Sequence, residues 1–157
     1  MSTGCLQDSA RSRVQIIADF QFGKGAGEAL FPEGCEVILS RTGRVRQITL
    51  YGKRLATVRA KDGRFTLGID GALRLLLSLP PPSYRVVAAG DVAEFIRQGK
   101  NTFAKHVIAA DPAIRAGDEV MVVDAEDQLL ATGSAVLSGG EMLLFNYGVA
   151  VKVRQGR

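Results

Sequence analysis

The chain has 157 residues and a formal net charge of +4, and 46% of its residues are hydrophobic. This length suits one ordinary domain or two small ones, and the apolar content excludes a disordered chain. No window is apolar over the length of a membrane span, and the polar start lacks the apolar core of a signal peptide. The sequence therefore predicts a cytoplasmic protein with no membrane partner.

The residues that carry most enzyme and metal chemistry are sparse. Two cysteines and one histidine exclude a zinc site of four cysteines, or of two cysteines and two histidines. Three glycines in GKGAGEALF raise the alternative of a phosphate loop, but no Walker lysine–serine pair follows them. A short helix over residues 26–30 is favoured there. The sequence predicts no catalytic residue, no metal and no cofactor.

The first half predicts helices around an antiparallel sheet. Residues 1–12 are polar and small and predict a flexible terminus, and residues 14–22 favour a helix that ends at Gly23. Four β-favouring runs between residues 36 and 69 alternate with turns, one of which contains the hairpin signal Asp62-Gly63. A leucine-rich run over residues 71–79 then predicts a buried helix packed on this meander.

Basic residues recur in the turns of the meander. The first 83 residues hold twelve Lys or Arg against seven Asp or Glu, whereas the remainder hold eight against nine. This excess predicts a basic face that attracts phosphate, with an ordinary solvated surface as the alternative. Eight basic residues are predicted to line one edge of the sheet: Arg41, Arg44, Arg46, Lys53, Arg54, Arg59, Lys61 and Arg64.

Three consecutive prolines at positions 80–82 predict a boundary between domains at residues 13–83 and 84–157. The second half predicts a strand over residues 84–88 and a helix over residues 92–98, capped by Asp91 and ended by Gly99. On this helix Val92, Phe95 and Ile96 are expected to share a face. Further strands are predicted at 103–108, 119–123, 129–136 and 148–153, with a helical turn at 138–144. The sum is a small, mostly β, barrel-like domain within an α+β protein.

The run GKNTFAKHV, residues 99–107, is the leading candidate for a functional site. Glycine permits a tight turn, and the two lysines and the asparagine offer hydrogen-bond donors that suit a phosphodiester backbone. We predict a loop that contacts RNA; the alternative is a tight turn with solvated lysines. His106 is predicted to be a packed or surface residue, with stacking on RNA as the alternative.

Residues 84–154 resemble the PUA domain, an RNA-binding module named for pseudouridine synthases and archaeosine transglycosylases. The resemblance rests on three features: the helix followed by Gly-Lys-Asn-x-Phe-Ala-Lys, the strand start Arg-x-Gly-Asp-Glu-Val and the closing Gly-Val-Ala-Val. The first half resembles the domain that precedes PUA in archaeosine tRNA-guanine transglycosylase, through ADFQFGKGAGEALF, SRTGRVRQITLYGKRLATVRAKDGRFTL and the leucine-rich helix.

The resemblance implies a pre-PUA α+β domain, a PUA pseudobarrel and tRNA-type RNA as the ligand. In PUA domains the first helix, the glycine loop and a neighbouring strand contact RNA. The resemblance therefore implies that the RNA-contacting residues of this chain are Arg97, Gly99, Lys100, Asn101, Phe103, Ala104, Lys105, Lys152 and Arg154. His106 departs from the family pattern, which favours an aromatic or aliphatic residue there.

In the transglycosylase the catalytic aspartates and zinc ligands belong to an N-terminal barrel that has no counterpart in this sequence. The resemblance therefore implies an RNA-binding accessory module in tRNA modification, which positions tRNA or another structured RNA for a separate enzyme. The alternative is a translation factor that associates with a ribosomal subunit and acts mainly through a protein partner. A modification enzyme in its own right is a third hypothesis.

Overall fold

Helix α1, Thr3–Phe22, carries a buried apolar residue at every fourth position: Ala10, Val14, Ala18 and Phe22. The spacing places them in one stripe along the helix, which is its packing face. The structure is a computed structural model that describes the backbone of residues 3–157 and the side chains of residues 7–157. The chain divides into two compact units between Leu79 and Pro80.

The first unit contains a four-stranded antiparallel sheet in the order β1-β2-β3-β4, which confirms the predicted meander. Its strands are β1 (Glu36–Leu39), β2 (Val45–Leu50), β3 (Lys53–Val58) and β4 (Phe65–Leu67). The helices α2 (Ala26–Leu30) and α3 (Ile69–Ser78) complete the unit. Its core includes Phe31 and Phe65, whose rings meet edge to face with centroids 5.1 Å apart.

Two helices of the first unit differ from the sequence prediction. Helix α1 begins at Thr3 instead of Val14, because Gln7 is hydrogen-bonded to the backbone of Val37 and Ala10 is buried. Residues 1 and 2 of the predicted flexible terminus lie outside the described residues. Helix α3 begins at Ile69, which was predicted to end a strand, and it is amphipathic, since Leu77 is 91% exposed.

The second unit contains a six-stranded sheet in the order β6-β10-β9-β8-β5-β7. All neighbours are antiparallel except β5 and β8. The strands are β5 (Arg85–Ala88), β6 (Thr102–Phe103), β7 (Val107–Ala110), β8 (Glu119–Val123), β9 (Leu129–Ala135) and β10 (Val149–Gly156). A 3₁₀ helix, Ala104–His106, joins the outer strands β6 and β7, so the sheet nearly closes into a pseudobarrel around an aliphatic core.

Two short helices lie against this sheet: α4 (Ala93–Arg97) and α5 (Gly139–Leu144). The predicted cap at Asp91 is wrong, because Asp91 lies in a 3₁₀ helix, Gly90–Val92, and α4 has no side-chain cap. The strand predicted over residues 103–108 is interrupted by the 3₁₀ helix, which contains His106. Within the described part of the chain, no helix has both the length and the apolarity to cross a membrane.

Candidate nucleic-acid interface

The loop after α4 has a backbone conformation that its glycine determines. Gly99 adopts φ +97°, in the left-handed region that other residues resist. Its N–H donates to the carbonyl of Ile96 at 2.9 Å, and the N–H of Lys100 donates to the carbonyl of Phe95 at 3.1 Å. This pair of bonds is a Schellman motif, which ends the helix and turns the chain sharply. The Lys100 side chain is thereby placed just beyond the helix end.

The far side of the loop is tied to the sheet. The side-chain Oδ1 of Asn101 accepts a hydrogen bond from the N–H of Val153 on β10 at 3.0 Å. The Ala104 N–H donates to the carbonyl of Gly148 at 2.9 Å, and Ala104 itself is buried. Asn101 and Ala104 therefore hold the loop in place, and its outward-facing chemistry comes from other residues.

The lysines of the loop are exposed. Among the described residues, none forms an ion pair with the four exposed cations Arg97, Lys100, Lys105 and Lys152. Arg154 differs, because its guanidinium makes a two-point ion pair with Glu119, whose side chain is fully buried. A carboxylate without access to water depends on that arginine, so Arg154 has a structural task that the sequence did not indicate.

A cavity of about 360 Å³ opens beside the loop. Its lining includes Phe95, Lys100, Asn101, Thr102, Phe103 and His106. Val92, Phe95 and Ile96 all line this cavity, so they share a face as predicted, with Ile96 buried and Phe95 58% exposed. Phe95, on the short helix α4, adds an exposed ring to this cavity.

The cavity lining includes three rings, those of Phe95, Phe103 and His106, and also Thr102, whose hydroxyl is shielded from the open space. The Thr102 hydroxyl is buried and has no hydrogen-bond partner among the residues that the structure describes. An unpaired buried hydroxyl costs free energy. His106 and Phe103 offer ring surfaces at the same cavity. The arrangement suits a flat, polar-edged ring such as a nucleobase.

The basic residues of the first unit do not all line one edge. Strand β2 is antiparallel to β3, so the start of β2 lies beside the end of β3 and away from the β2–β3 turn. Arg44, Arg46 and Arg59 accordingly line one groove together with Arg13. Lys53 lies at the other end of these strands, 4.0 Å from Asp70.

Several of these basic side chains are engaged within the unit. Arg59 makes two hydrogen bonds with Asp62, at 2.7 and 3.2 Å. Hydrogen bonds from the Arg64 backbone N–H and, with a smaller effect, from the Arg59 side chain lower the pKa of the Asp62 carboxyl group. Arg54 donates to the Thr57 hydroxyl at 3.0 Å. Arg41, Arg44 and Arg46 are exposed and form no ion pair with the described residues, so they are the free part of the predicted basic face.

Each half of the chain matches the model of a known domain family. Residues 12–82 match the patch-forming domain C2 of tRNA-guanine transglycosylase, and residues 84–157 match the PUA domain. The chain carries a C2 domain followed by a PUA domain. The tRNA-guanine(15) transglycosylase of Pyrococcus abyssi is 55% identical over 150 residues, which are 96% of this chain and 25% of that enzyme. The chain thus spans about a quarter of the length of the curated relatives it matches, in their C-terminal region.

Solved structures show the same fold. A hypothetical protein of the hyperthermophilic archaeon Pyrococcus horikoshii OT3 matches 94% of this chain and 90% of its own, with a TM-score of 0.74 and 23% identity. A conserved PUA domain protein of Thermoplasma acidophilum matches 96% of this chain and 89% of its own, with a TM-score of 0.64 and 19% identity. The predicted α+β domain followed by a PUA pseudobarrel is confirmed.

Some features of the PUA domain surface were missed by sequence reasoning. Lys100, Asn101 and Phe103 of the predicted loop line one cavity, and this cavity was not predicted. An exposed phenylalanine and a buried threonine hydroxyl are visible only when neighbouring strands are in place. Among the described residues, no group of three or more His, Cys, Asp or Glu is arranged to hold a metal ion.

Proposed function

We propose that this protein binds tRNA or another structured RNA through its PUA domain, as a non-catalytic accessory module in tRNA modification. The observation that carries the proposal is an aromatic cavity with exposed Lys100 in its lining and exposed Lys105 further along the same loop. Lysines contact phosphates without regard to sequence, and a cavity beside them takes an unpaired base. Both features belong to one short segment of the PUA domain.

The preference for tRNA is supported by the matched relatives, which are named tRNA-guanine(15) transglycosylases. The C2 domain carries exposed cations of its own, Arg41, Arg44 and Arg46. Since the PUA half of the sequence carries nine acidic and only eight basic residues, the C2 domain supplies much of the general attraction to phosphate. A function on tRNA fits the predicted cytoplasmic location.

A protein partner is supported by an exposed apolar face on α1. Ile16 is 69% exposed and Phe20 is 93% exposed, one helical turn apart on the face opposite the buried stripe. In the relatives, the matched region is C-terminal, so about three quarters of their chain precedes the counterpart of α1. We propose that this face of α1 docks the catalytic part of a tRNA-modifying enzyme.

The experiment is a salt titration of RNA binding with matched lysine variants. Replacing Lys100 and Lys105 with alanine lowers tRNA affinity and reduces the slope of log affinity against log salt by roughly 1.5, because two phosphate contacts are lost. The control replaces Lys24 and Arg115, two exposed cations outside the loop and outside the predicted basic edge, which removes the same charge elsewhere. Equal effects of the two double variants would contradict a specific role of the loop.

The runner-up hypothesis, a translation factor acting through a ribosomal subunit, predicts a different pattern. Under this hypothesis, the unchanged protein and both double variants all bind free tRNA weakly. Co-purification with ribosomal subunits, retained after the Lys100 and Lys105 replacements, would favour it. Turnover of an RNA base by the purified protein alone would instead support an enzyme.

A further inference from the structure

An aromatic pair lies on the surface of the PUA domain just before β10. The rings of Phe145 and Tyr147 are stacked, with centroids 6.1 Å apart and planes at 19°. Tyr147 is 72% exposed and Phe145 is 38% exposed. The whole chain has only seven phenylalanines, three tyrosines and no tryptophan. Two of these few large rings thus lie on a surface, where they contribute less to the core than they would inside it.

The pair adjoins the loop that carries the proposed interface. The carbonyl of Gly148, directly after Tyr147, accepts a hydrogen bond from the Ala104 N–H at 2.9 Å. Val149 is paired with Phe103 across β10 and β6. Phe103 is 43% exposed and lies two residues before Lys105. The aromatic pair, an exposed phenylalanine and a free lysine therefore flank the same short stretch of paired backbone.

We propose that Tyr147, backed by Phe145, is a stacking platform for an unpaired base of the bound RNA. This inference rests on the proposed function and names a second contact point beyond the cavity. Every base has a π-face, so a tyrosine ring stacks on single-stranded nucleic acid with little regard to sequence. The Phe145 ring behind it limits the motion of Tyr147, which lowers the ordering cost of binding. Lys105 is placed to meet a neighbouring phosphate.

RNA is favoured over a protein as the occupant because of what surrounds the pair. The platform is joined, through backbone hydrogen bonds, to a surface that carries three exposed cations. Arg97, Lys100 and Lys105 all belong to that surface. Single-stranded RNA is recognised by this combination of basic groups and aromatic rings.

The test uses the full chain and a short single-stranded RNA in which one adenine at a time is replaced by fluorescent 2-aminopurine. Stacking on an aromatic ring quenches this base, so one position is expected to lose fluorescence on binding. Tyr147→Ala is expected to restore that fluorescence and weaken binding roughly 5- to 100-fold. Tyr147→Phe keeps the ring and is expected to bind like the unchanged protein.

Two controls separate stacking from general apolar contact and from folding. Leu144→Ala removes an 81% exposed side chain next to the pair without removing a ring, and it should leave quenching intact. Tyr51→Ala removes an 89% exposed tyrosine from the C2 domain and should also leave quenching intact. Circular dichroism confirms that each variant is folded.

The outcomes distinguish this inference from the proposed function. Unchanged affinity and quenching in Tyr147→Ala, with binding lost in the Lys100 and Lys105 variant, would overturn the platform and leave RNA binding standing. Absence of RNA binding by the unchanged protein would overturn both proposals.

Discussion

The side-chain amide of Gln21 is hydrogen-bonded to both backbone polar groups of Phe65. The Phe65 N–H donates to Oε1 at 2.7 Å, and Nε2 donates to the Phe65 carbonyl at 3.0 Å. Gln7 makes the same pair of bonds with Val37, at 2.8 and 3.3 Å. Because Val37 is on β1 and Phe65 is on β4, α1 is bound to both outer strands of the sheet. These strand edges are thereby partly blocked against pairing with another chain.

We expect Gln21→Ala to destabilise the C2 domain by about 1–3 kcal/mol, since two backbone groups lose their partner. The Phe65 amide should exchange with solvent hydrogen faster than in the unchanged protein, as measured by NMR. Gln47→Ala, on β2 of the same domain, removes an amide that takes no part in these edge bonds and should leave Phe65 protected. Equal protection of Phe65 in all three proteins would contradict the role of Gln21.

The pattern of strands and turns in the C2 domain was predictable because it depends on local chemistry. Alternating apolar residues and the Asp62-Gly63 turn specify the hairpins without reference to the rest of the fold. The start of α1 was not predictable, because Gln7 is fixed by a strand thirty residues away. The same applies to Leu77, whose exposure on α3 is set by which face of the helix meets the sheet.

The glycine loop was predictable because Gly99 and the two lysines lie close together in the sequence. The cavity was not, since Phe95, Thr102 and His106 meet only because a 3₁₀ helix interrupts the strand predicted over residues 103–108. The aromatic pair had a sequence signal in the two rings of Phe-Asn-Tyr-Gly, within a chain poor in aromatics. The extent of the basic face was not predictable, because the sequence does not show which turns share one end of the sheet.

Two glycines of the PUA domain make a matched test of packing. A Cβ on Gly133 would overlap the Lys152 carbonyl oxygen on the neighbouring strand, so Gly133→Ala should destabilise the domain by about 1–3 kcal/mol. A Cβ on Gly140, in α5, would meet nothing within 4 Å. Gly140→Ala should therefore leave stability unchanged or raise it by up to about 1 kcal/mol. Urea unfolding of the full chain measures both, and equal midpoints would contradict the close approach.

The capping box of α5 gives a pH dependence. Ser138 Oγ accepts from the Glu141 N–H, and the Glu141 carboxylate accepts from the Ser138 N–H. Two hydrogen bonds from Ser138 lower the pKa of the Glu141 carboxyl group below its ordinary 4.5. The bond from the backbone N–H has the larger effect, and the bond from the side chain has the smaller one. A lowered folded pKa means that this stabilisation is complete above the ordinary value and is lost as the pH falls through the folded pKa.

We expect Ser138→Ala to destabilise α5 by about 1 kcal/mol at neutral pH, and the difference from the unchanged protein to shrink in acid. Ser138→Gly should cost less, because glycine is tolerated at this position. Unfolding curves at several pH values provide the measurement. A stability difference that grows as the pH falls would contradict the lowered pKa of Glu141.

The exposed face of α1 gives a binding prediction. Phe20→Ser should leave the fold intact, since the side chain is 93% exposed, but weaken co-purification with the catalytic part of a tRNA-guanine transglycosylase at least severalfold. Leu77→Ser, which alters a 91% exposed leucine on α3, is the matched control and should have no effect. Equal capture of the enzyme by both variants would exclude α1 as the docking face.

Recognition of tRNA by the PUA domain, through a cationic loop beside a cavity, is the proposal on which the stacking platform depends. It is tested by the affinity of the purified chain for total cellular tRNA and for an unrelated hairpin RNA, each at two salt concentrations. We expect tighter binding of tRNA than of the hairpin, with affinity that falls steeply as salt is raised. Equal and weak binding of both RNAs, with little dependence on salt, would contradict it.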